Sequence, residues 1–135
     1  MDNAELISTI KYQLEVAKKI LVVSHLRPDG DAIGSLLGIA LPLLEKCKDV
    51  QLVLSDGVPK NFRFLSGSEL IKKSSVDSVD YIIVVDSAES ERTDKVLEGY
   101  GIPDLNIDHH KTNSLFAKIN YIDCDAVATA EIQSI

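Results

Sequence analysis

All three histidines of the chain lie beside aspartates, in two short segments whose residue types suit metal binding. The first segment has the pattern His25-x3-Asp29-x-Asp31, and the second is the triplet Asp108–His110. Imidazole and carboxylate groups together form a mixed nitrogen and oxygen ligand set that suits manganese, magnesium, iron or zinc. The two segments therefore favour a metal-dependent hydrolase.

Apolar runs and turn residues predict the elements that must position these groups. Five strands are expected, over Ile20–Val23, Val50–Leu54, Tyr81–Val85, Pro103–Ile107 and Lys118–Ile122. Two long helices are expected over Ala4–Lys19 and Ala32–Lys46, the second with Asp31 as its N-cap. Shorter helical pieces are expected over Asn61–Leu65 and Thr93–Glu98, and a last helix begins in Ala126–Ile135. This alternation predicts an α/β fold, a Rossmann-like three-layer sandwich with a mainly parallel five-stranded sheet covered on both faces.

Acidic residues or histidines follow four of the five predicted strands. Because ligands bind beyond the carboxyl ends of the strands in such sheets, this edge is the expected site. Taken singly, Asp56, Asp123 and Asp125 fit ordinary turns or helix caps. The remaining carboxylates would crowd negative charge at one rim, which costs folding energy unless cations are bound there. They are Asp29, Asp31, Asp86 and Asp108.

Two divalent ions would offset this charge. Two ions about 3.5–4 Å apart can clamp a phosphate and activate a water molecule as hydroxide. Asp86, at the end of the central-looking strand, is the candidate for a ligand shared by both ions. We expect His25 and Asp29 to bind one ion, and Asp31 and His109 to bind the other.

Two neighbouring residues are assigned to the substrate side of this site. His110 is next to a predicted ligand and is expected to donate a hydrogen bond to the phosphate. Asp108 is expected to orient a histidine through a hydrogen bond rather than to bind a metal ion itself.

The same residues resemble the motifs of the DHH phosphoesterase superfamily. His25–Ser35 resembles the first motif, Val84–Asp86 followed by Arg92 the second, and Ile107–Asn113 the third. Ile119–Asp123 and then Ala126–Glu131 resemble a segment of the nano-RNase/pAp phosphatase branch. The resemblance implies an enzyme with two Mn²⁺ ions, for which Mg²⁺ or Co²⁺ could substitute, and it places Arg92 among the catalytic residues. A cytoplasmic location is expected on separate grounds, because the N-terminus carries no recognisable secretory signal and reduced thiols are then the default. The implied substrates are short oligonucleotides, 3′-phosphoadenosine 5′-phosphate (pAp), or linear or cyclic dinucleotides.

The resemblance also implies that residues 1–135 are an N-terminal DHH domain, incomplete at its C-terminal end. The family pattern continues with a strand-end Asp-Thr-Gly motif and a smaller substrate-binding domain. The isolated chain is therefore expected to be weakly active or inactive, and a homodimer of a longer protein is left open.

Composition excludes several other classes. The formal net charge of −7 argues against binding of long duplex nucleic acid, which needs basic patches. No apolar run reaches the roughly 20 residues that span a membrane. The two cysteines form no metal-type pair, and no secretory signal is recognisable at the N-terminus.

Three alternatives remain beside the phosphoesterase. The first is a family II pyrophosphatase, although these enzymes usually carry threonine where Gly30 stands. The second is a non-catalytic domain that senses nucleotides with the same pocket. A dinucleotide-cofactor domain is disfavoured, because Gly30-x3-Gly34 lacks the G-x-G-x-x-G spacing and acids occupy the loop.

Overall fold

A computed structural model of the chain describes residues 2–75, 78–93 and 95–123. Its helices are α1 (Asn3–Val16) and α2 (Gly30–Glu45), with short 3₁₀ helices at Lys60–Phe62, Ser68–Leu70 and Ser90–Thr93. Its strands are β1 (Lys19–Val23), β2 (Asp49–Val53), β3 (Ile71–Lys72), β4 (Tyr81–Val85), β5 (Leu105–Asp108) and β6 (Ile119–Ile122). The helix predicted from Ala126 onward, and Asp125, lie outside the described residues.

The strands form one sheet in the order β3-β2-β1-β4-β5-β6, and every neighbouring pair is parallel. The predicted parallel α/β sheet is confirmed, with six strands where five were expected. The additional strand, β3, has only two residues, which is too short for an apolar pattern to reveal. Strands β1 and β4 are central, and this explains their continuous apolar sequences.

Side chains of the central strands alternate between two apolar clusters, one on each face of the sheet. Both α1 and α2 pack on one face, against a cluster that includes Val22 and Ile83. On the other face, Leu21 and Val84 are covered by side chains such as Val96, Leu97, Tyr100 and Phe116. Among the described residues this second covering layer is built of turns. The brief helix expected at Thr93–Glu98 is replaced by the 3₁₀ helix that ends at Thr93 and by turns over residues 95–100.

The start of α2 corrects one prediction about the site. The helix begins at Gly30, and its N-cap is Asp29, whose Oδ1 accepts the N–H of Ala32 at 2.9 Å. Asp31, the expected cap, lies instead in the first turn, where its charge is favourable to the helix dipole. Ser35 Oγ donates to Asp31 Oδ1 at 3.2 Å. The earlier start leaves Oδ2 of Asp31 to face the neighbouring strand end.

Candidate metal centre

The carboxyl ends of β1, β4 and β5 lie side by side and are joined by hydrogen bonds beyond the sheet ladder. Ser24 Oγ, which is buried, donates to the carbonyl of Val85 at 2.6 Å. The N–H of Asp86 donates to the carbonyl of Ile107 at 2.9 Å. These bonds hold the residues after three strands at one rim, as the parallel topology predicts.

Asp86 lies at the centre of this rim and is only 2% exposed. Its φ of 55° is in the left-handed region, which aspartate enters more readily than most residues. Its Oδ2 lies 3.3 Å from His25 Nε2, and its Oδ1 lies 3.5 Å from His109 Nε2. One buried carboxylate thus faces an imidazole on each side.

His25 is held so that one ring nitrogen faces the carboxylates. Its Nδ1 donates to the carbonyl of Leu26 at 2.6 Å, because a carbonyl can only accept. Its Nε2 therefore faces Asp86 and, at 3.9 Å, Asp29 Oδ1. The hydrogen bond with Asp86 raises the pKa of His25 above its ordinary value, against the opposing effect of burial.

This arrangement fits a bound cation. In the neutral ring the Nδ1 carries the hydrogen, so the lone pair of His25 Nε2 points at an acceptor oxygen of Asp86. Two acceptors in that position repel each other unless a proton or a metal ion lies between them. The donor set, one imidazole with two carboxylates, is also the chemistry that a hard divalent ion prefers.

His109 forms a second grouping on the other side of Asp86. Its Nε2 lies 3.4 Å from Asp31 Oδ2, in addition to its approach to Asp86 Oδ1. His109 and Asp31 are both partly buried. The structure thus brings together the two ligand sets expected from the sequence, and Asp86 belongs to both.

A wider cluster includes the remaining members of the triplet. Ligand atoms of Asp86, Asp108, His109 and His110 lie within 4.8 Å of one another. Asp108, however, is fully buried and uses both oxygens in hydrogen bonds. Its Oδ1 accepts from His110 Nδ1 at 2.6 Å, and its Oδ2 accepts from Asn113 Nδ2 at 2.8 Å. His110 is thus paired with Asp108 through Nδ1, and its side chain is 41% exposed, with Nε2 on the other side of the ring.

Two residues outside the cluster hold the His25 loop in place. The carbonyl of Arg92 accepts the N–H of Leu26 at 2.6 Å, while the Arg92 side chain is exposed. Oδ2 of Asp56 accepts the N–H of Arg27 at 2.7 Å, where the backbone has a φ of 53°. Asp56 therefore supports the site from a turn that the sequence presented as ordinary. Asp123 donates its N–H to the carbonyl of Asp108 at 3.1 Å, which extends the pairing of β5 and β6.

One polar residue behind the site was missed from the sequence. Asn106 is fully buried within β5, and its amide donates to the carbonyls of Val84 at 3.0 Å and Ser87 at 3.3 Å. Asparagine is disfavoured in strands, and a buried polar group needs hydrogen-bond partners. An asparagine in the middle of a predicted buried strand was thus the signal that could have identified it.

The match to a known family covers the whole of this rim. The profile of the N-terminal domain of the DHH family matches residues 19–134. The chain belongs to the DHH family. The match begins with β1 and includes every candidate site residue.

The relatives of this DHH-family chain include named enzymes. It is 36% identical over 118 residues to the bifunctional oligoribonuclease and PAP phosphatase NrnA of Thermus thermophilus, covering 84% of the chain and 34% of that protein. It is 30% identical over 134 residues to the protein of the same name from Bacillus subtilis, covering 96% of the chain and 40% of the relative. The chain thus spans two fifths or less of the length of these relatives.

A solved structure supports the same DHH fold. An exopolyphosphatase-related protein from Bacteroides fragilis superposes with a TM-score of 0.83 at 27% identity, covering 96% of this chain and 42% of that one. Among the described residues, no helix combines the length and the apolar character needed to cross a membrane.

Proposed function

We propose that the chain forms the metal-binding part of a phosphoesterase that hydrolyses phosphodiester or phosphomonoester bonds in short oligonucleotides, pAp or dinucleotides. The observation that carries the proposal is the Asp86 carboxylate, whose two oxygens face His25 and His109. A carboxylate with an imidazole on each side is suited to serve two ions at once.

In this proposal His25, Asp29 and Asp86 hold one ion, and Asp31, Asp86 and His109 hold the other. We propose Mn²⁺ as the metal, with Mg²⁺ or Co²⁺ as substitutes, because the ligands are carboxylate oxygens and imidazole nitrogens. When bound, such ions lower the pKa of coordinated water and neutralise phosphate charge.

His110 and Arg92 act on the substrate in this proposal. Asp108 holds the Nδ1–H of His110, so that Nε2 is the ring atom on the substrate side, where it donates to a phosphate oxygen when the ring carries hydrogen on both nitrogens. Arg92 is exposed beside the His25 loop, where its guanidinium could pair with the same or the next phosphate. Asp108 itself acts only through His110.

The class of substrate is inferred from the relatives. Two of them are named as oligoribonuclease and PAP phosphatase, which supports nucleotide phosphoesters. Since the chain spans only 34–40% of those proteins, we propose that efficient turnover needs sequence beyond the matched region and that this chain alone is weakly active. The exposed free thiol of Cys47 fits a reducing compartment, and we propose the cytoplasm.

The test uses the chain with Mn²⁺ and three substrates in parallel, namely an RNA dinucleotide, pAp and inorganic pyrophosphate. We expect slow release of mononucleotide or phosphate from the first two, and none from the Asp86→Asn variant at equal concentration. Calorimetry with Mn²⁺, Mg²⁺, Co²⁺ and Zn²⁺ measures binding separately from turnover.

Other results of these binding and hydrolysis assays would support other conclusions. Binding of none of the four metals would refute the metal centre. Hydrolysis of pyrophosphate alone would favour a family II pyrophosphatase activity. Nucleotide binding by the chain without turnover of any of the three substrates would favour a sensor domain.

A further inference from the structure

Two asparagines, Asn106 and Asn113, link the turn at Asp86 to the Asp108–His110 pair. Asn113 Nδ2 donates to Asn106 Oδ1 at 2.7 Å and to Asp108 Oδ2 at 2.8 Å. It also lies 3.4 Å from the carbonyl of Ser87. These contacts make a continuous set of hydrogen bonds from the end of β4 to the imidazole of His110.

The side chain of Asn113 has one favourable orientation. Its two amide hydrogens go to Asn106 and Asp108, and its carbonyl Oδ1 accepts the N–H of Leu115 at 2.7 Å. Rotating the amide by half a turn would place its oxygen against the Asp108 carboxylate and its NH₂ against a backbone N–H. Both pairings are repulsive, so the amide is fixed by its donors and by its acceptor.

Asn106 anchors this amide to the backbone around Asp86. Its own amide donates to the carbonyls of Val84 and Ser87, the residues two before and one after Asp86. It is fully buried, so these hydrogen bonds do not exchange readily with water. Through Asn106, the position of Asn113 therefore depends on the same turn that orients the Asp86 carboxylate.

Asp108 depends on Asn113 for one of its oxygens. The carboxylate is fully buried, with Oδ1 paired to His110 and Oδ2 paired to Asn113. Without the Asn113 amide, Oδ2 would be a buried charged acceptor lacking its strongest donor, and the carboxylate would rotate to recover one. Such a rotation would break the hydrogen bond to His110 Nδ1. The His110 ring is 41% exposed, so water could then stabilise the other tautomer.

We propose that Asn113 is a positioning residue that fixes Asp108 and thereby holds His110 as the tautomer with hydrogen on Nδ1. This inference rests on the proposed function in one respect, namely that His110 Nε2 faces the substrate. Asn113 makes no hydrogen bond to His25, Asp29, Asp31 or His109 in the bonds described above. Its loss should therefore disturb His110 while the affinity for metal is retained.

The test is the tautomer of His110, measured by ¹⁵N nuclear magnetic resonance on the full chain with ¹⁵N-labelled histidine and diamagnetic Mg²⁺. The chain has three histidines, so three rings are followed, and His110→Ala assigns the relevant one. At a pH where the ring is neutral, we expect hydrogen on Nδ1 alone in the parent. Asn113→Ala should give a mixture of tautomers, and Asn113→Ser, which keeps one hydroxyl donor, should restore part of the parent signal.

Asn120 provides a matched control, since its side chain also makes two local hydrogen bonds, both to the backbone of Ala117. Asn120→Ala should leave the His110 tautomer unchanged. A single Nδ1–H tautomer in folded Asn113→Ala, or an equal change in Asn120→Ala, would overturn the proposal. If Asn113→Ala does not fold, Asn113→Ser decides: its shorter side chain should still give a measurable fraction of the other tautomer, and a single Nδ1–H tautomer in that variant would overturn the proposal.

Activity gives a second readout. In any preparation that cleaves an RNA dinucleotide, Asn113→Ala should lower kcat by about ten- to hundred-fold, the usual effect of losing an orienting partner. Mn²⁺ affinity should stay within about two-fold, and a loss of affinity equal to the loss of kcat would overturn the positioning role. If no phosphoester is cleaved by any form, the proposed function fails, while the tautomer measurement still decides the role of Asn113.

Discussion

Replacing Asp86 by asparagine keeps the shape of the side chain but removes its charge and one acceptor oxygen. In the structure each oxygen of Asp86 faces a different histidine, at 3.3 Å for His25 and 3.5 Å for His109. An amide can present an oxygen to only one side, and its NH₂ repels a cation on the other. We therefore expect Asp86→Asn to remove the stabilisation that divalent ions give to the chain.

The magnitude follows from ligand linkage. An ion that binds only the folded state contributes about 2.7 kcal/mol when its concentration is one hundred times its Kd. For a domain of this size, 1 kcal/mol changes Tm by roughly 4 °C. One ion should thus raise Tm by roughly 10 °C, and two ions by about twice as much. Because Asp86 is shared, the variant should lose most of the whole shift.

The assay is thermal unfolding followed with chelator and with saturating Mn²⁺. Asp104→Asn is the matched control, since Asp104 is a partly buried carboxylate at the opposite end of β5 that accepts the N–H of Ile82. It should change the absolute Tm but retain the Mn²⁺ shift. The reasoning is refuted if Asp86→Asn retains the full shift, or if the parent chain shows none with Mn²⁺, Mg²⁺, Co²⁺ or Zn²⁺.

Three further results are expected from single substitutions. His25→Gln should reduce the calorimetric stoichiometry from two ions to one, because His25 Nε2 approaches only Asp29 and Asp86 in the described contacts; unchanged stoichiometry would contradict the ligand assignment. Asp29→Ala should destabilise the metal-free chain by about 1 kcal/mol in urea unfolding through loss of the α2 cap, whereas Asp29→Asn should keep the cap and weaken only metal binding. Burial, and then Asp104, raise the pKa of Tyr81 above its ordinary value of 10.0. The free energy of unfolding should thus be independent of Tyr81 ionisation below about pH 10 and should fall as pH rises toward the pKa of Tyr81 in the folded chain. Tyr81→Phe should remove that loss of stability in urea unfolding measured over a series of alkaline pH values.

The sequence was most informative where burial leaves little choice of residue. Tyr81–Val85 was predicted with the bounds that the structure has, because a central parallel strand is apolar on both faces. The gathering of aspartates and histidines at one rim followed from the same rule, since parallel strands end at the same edge. The roles of individual ligands still rest on geometry and on the experiments above.

Other features depend on contacts that no local pattern encodes. Whether Asp29 or Asp31 caps α2 depends on a two-residue difference in the helix start, and either residue type can cap. Strand β3 owes its existence to pairing with β2 and has too few residues for a periodicity. The support that Asp56 gives to Arg27 spans 29 residues of sequence and appears only when the loops are folded together.

The left-handed backbone at Arg27 and Asp86 has a kinetic consequence. Both conformations are unfavourable in isolation and are held by hydrogen bonds between segments that are distant in sequence: the N–H of Arg27 donates to Asp56, and the N–H of Asp86 donates to the carbonyl of Ile107. We therefore expect the rim to form after the central strands have paired, late in folding. Interactions that are absent from the transition state slow unfolding and leave the folding rate unchanged. Metal ions bound at this rim would then slow the unfolding of the chain without changing the rate at which it folds.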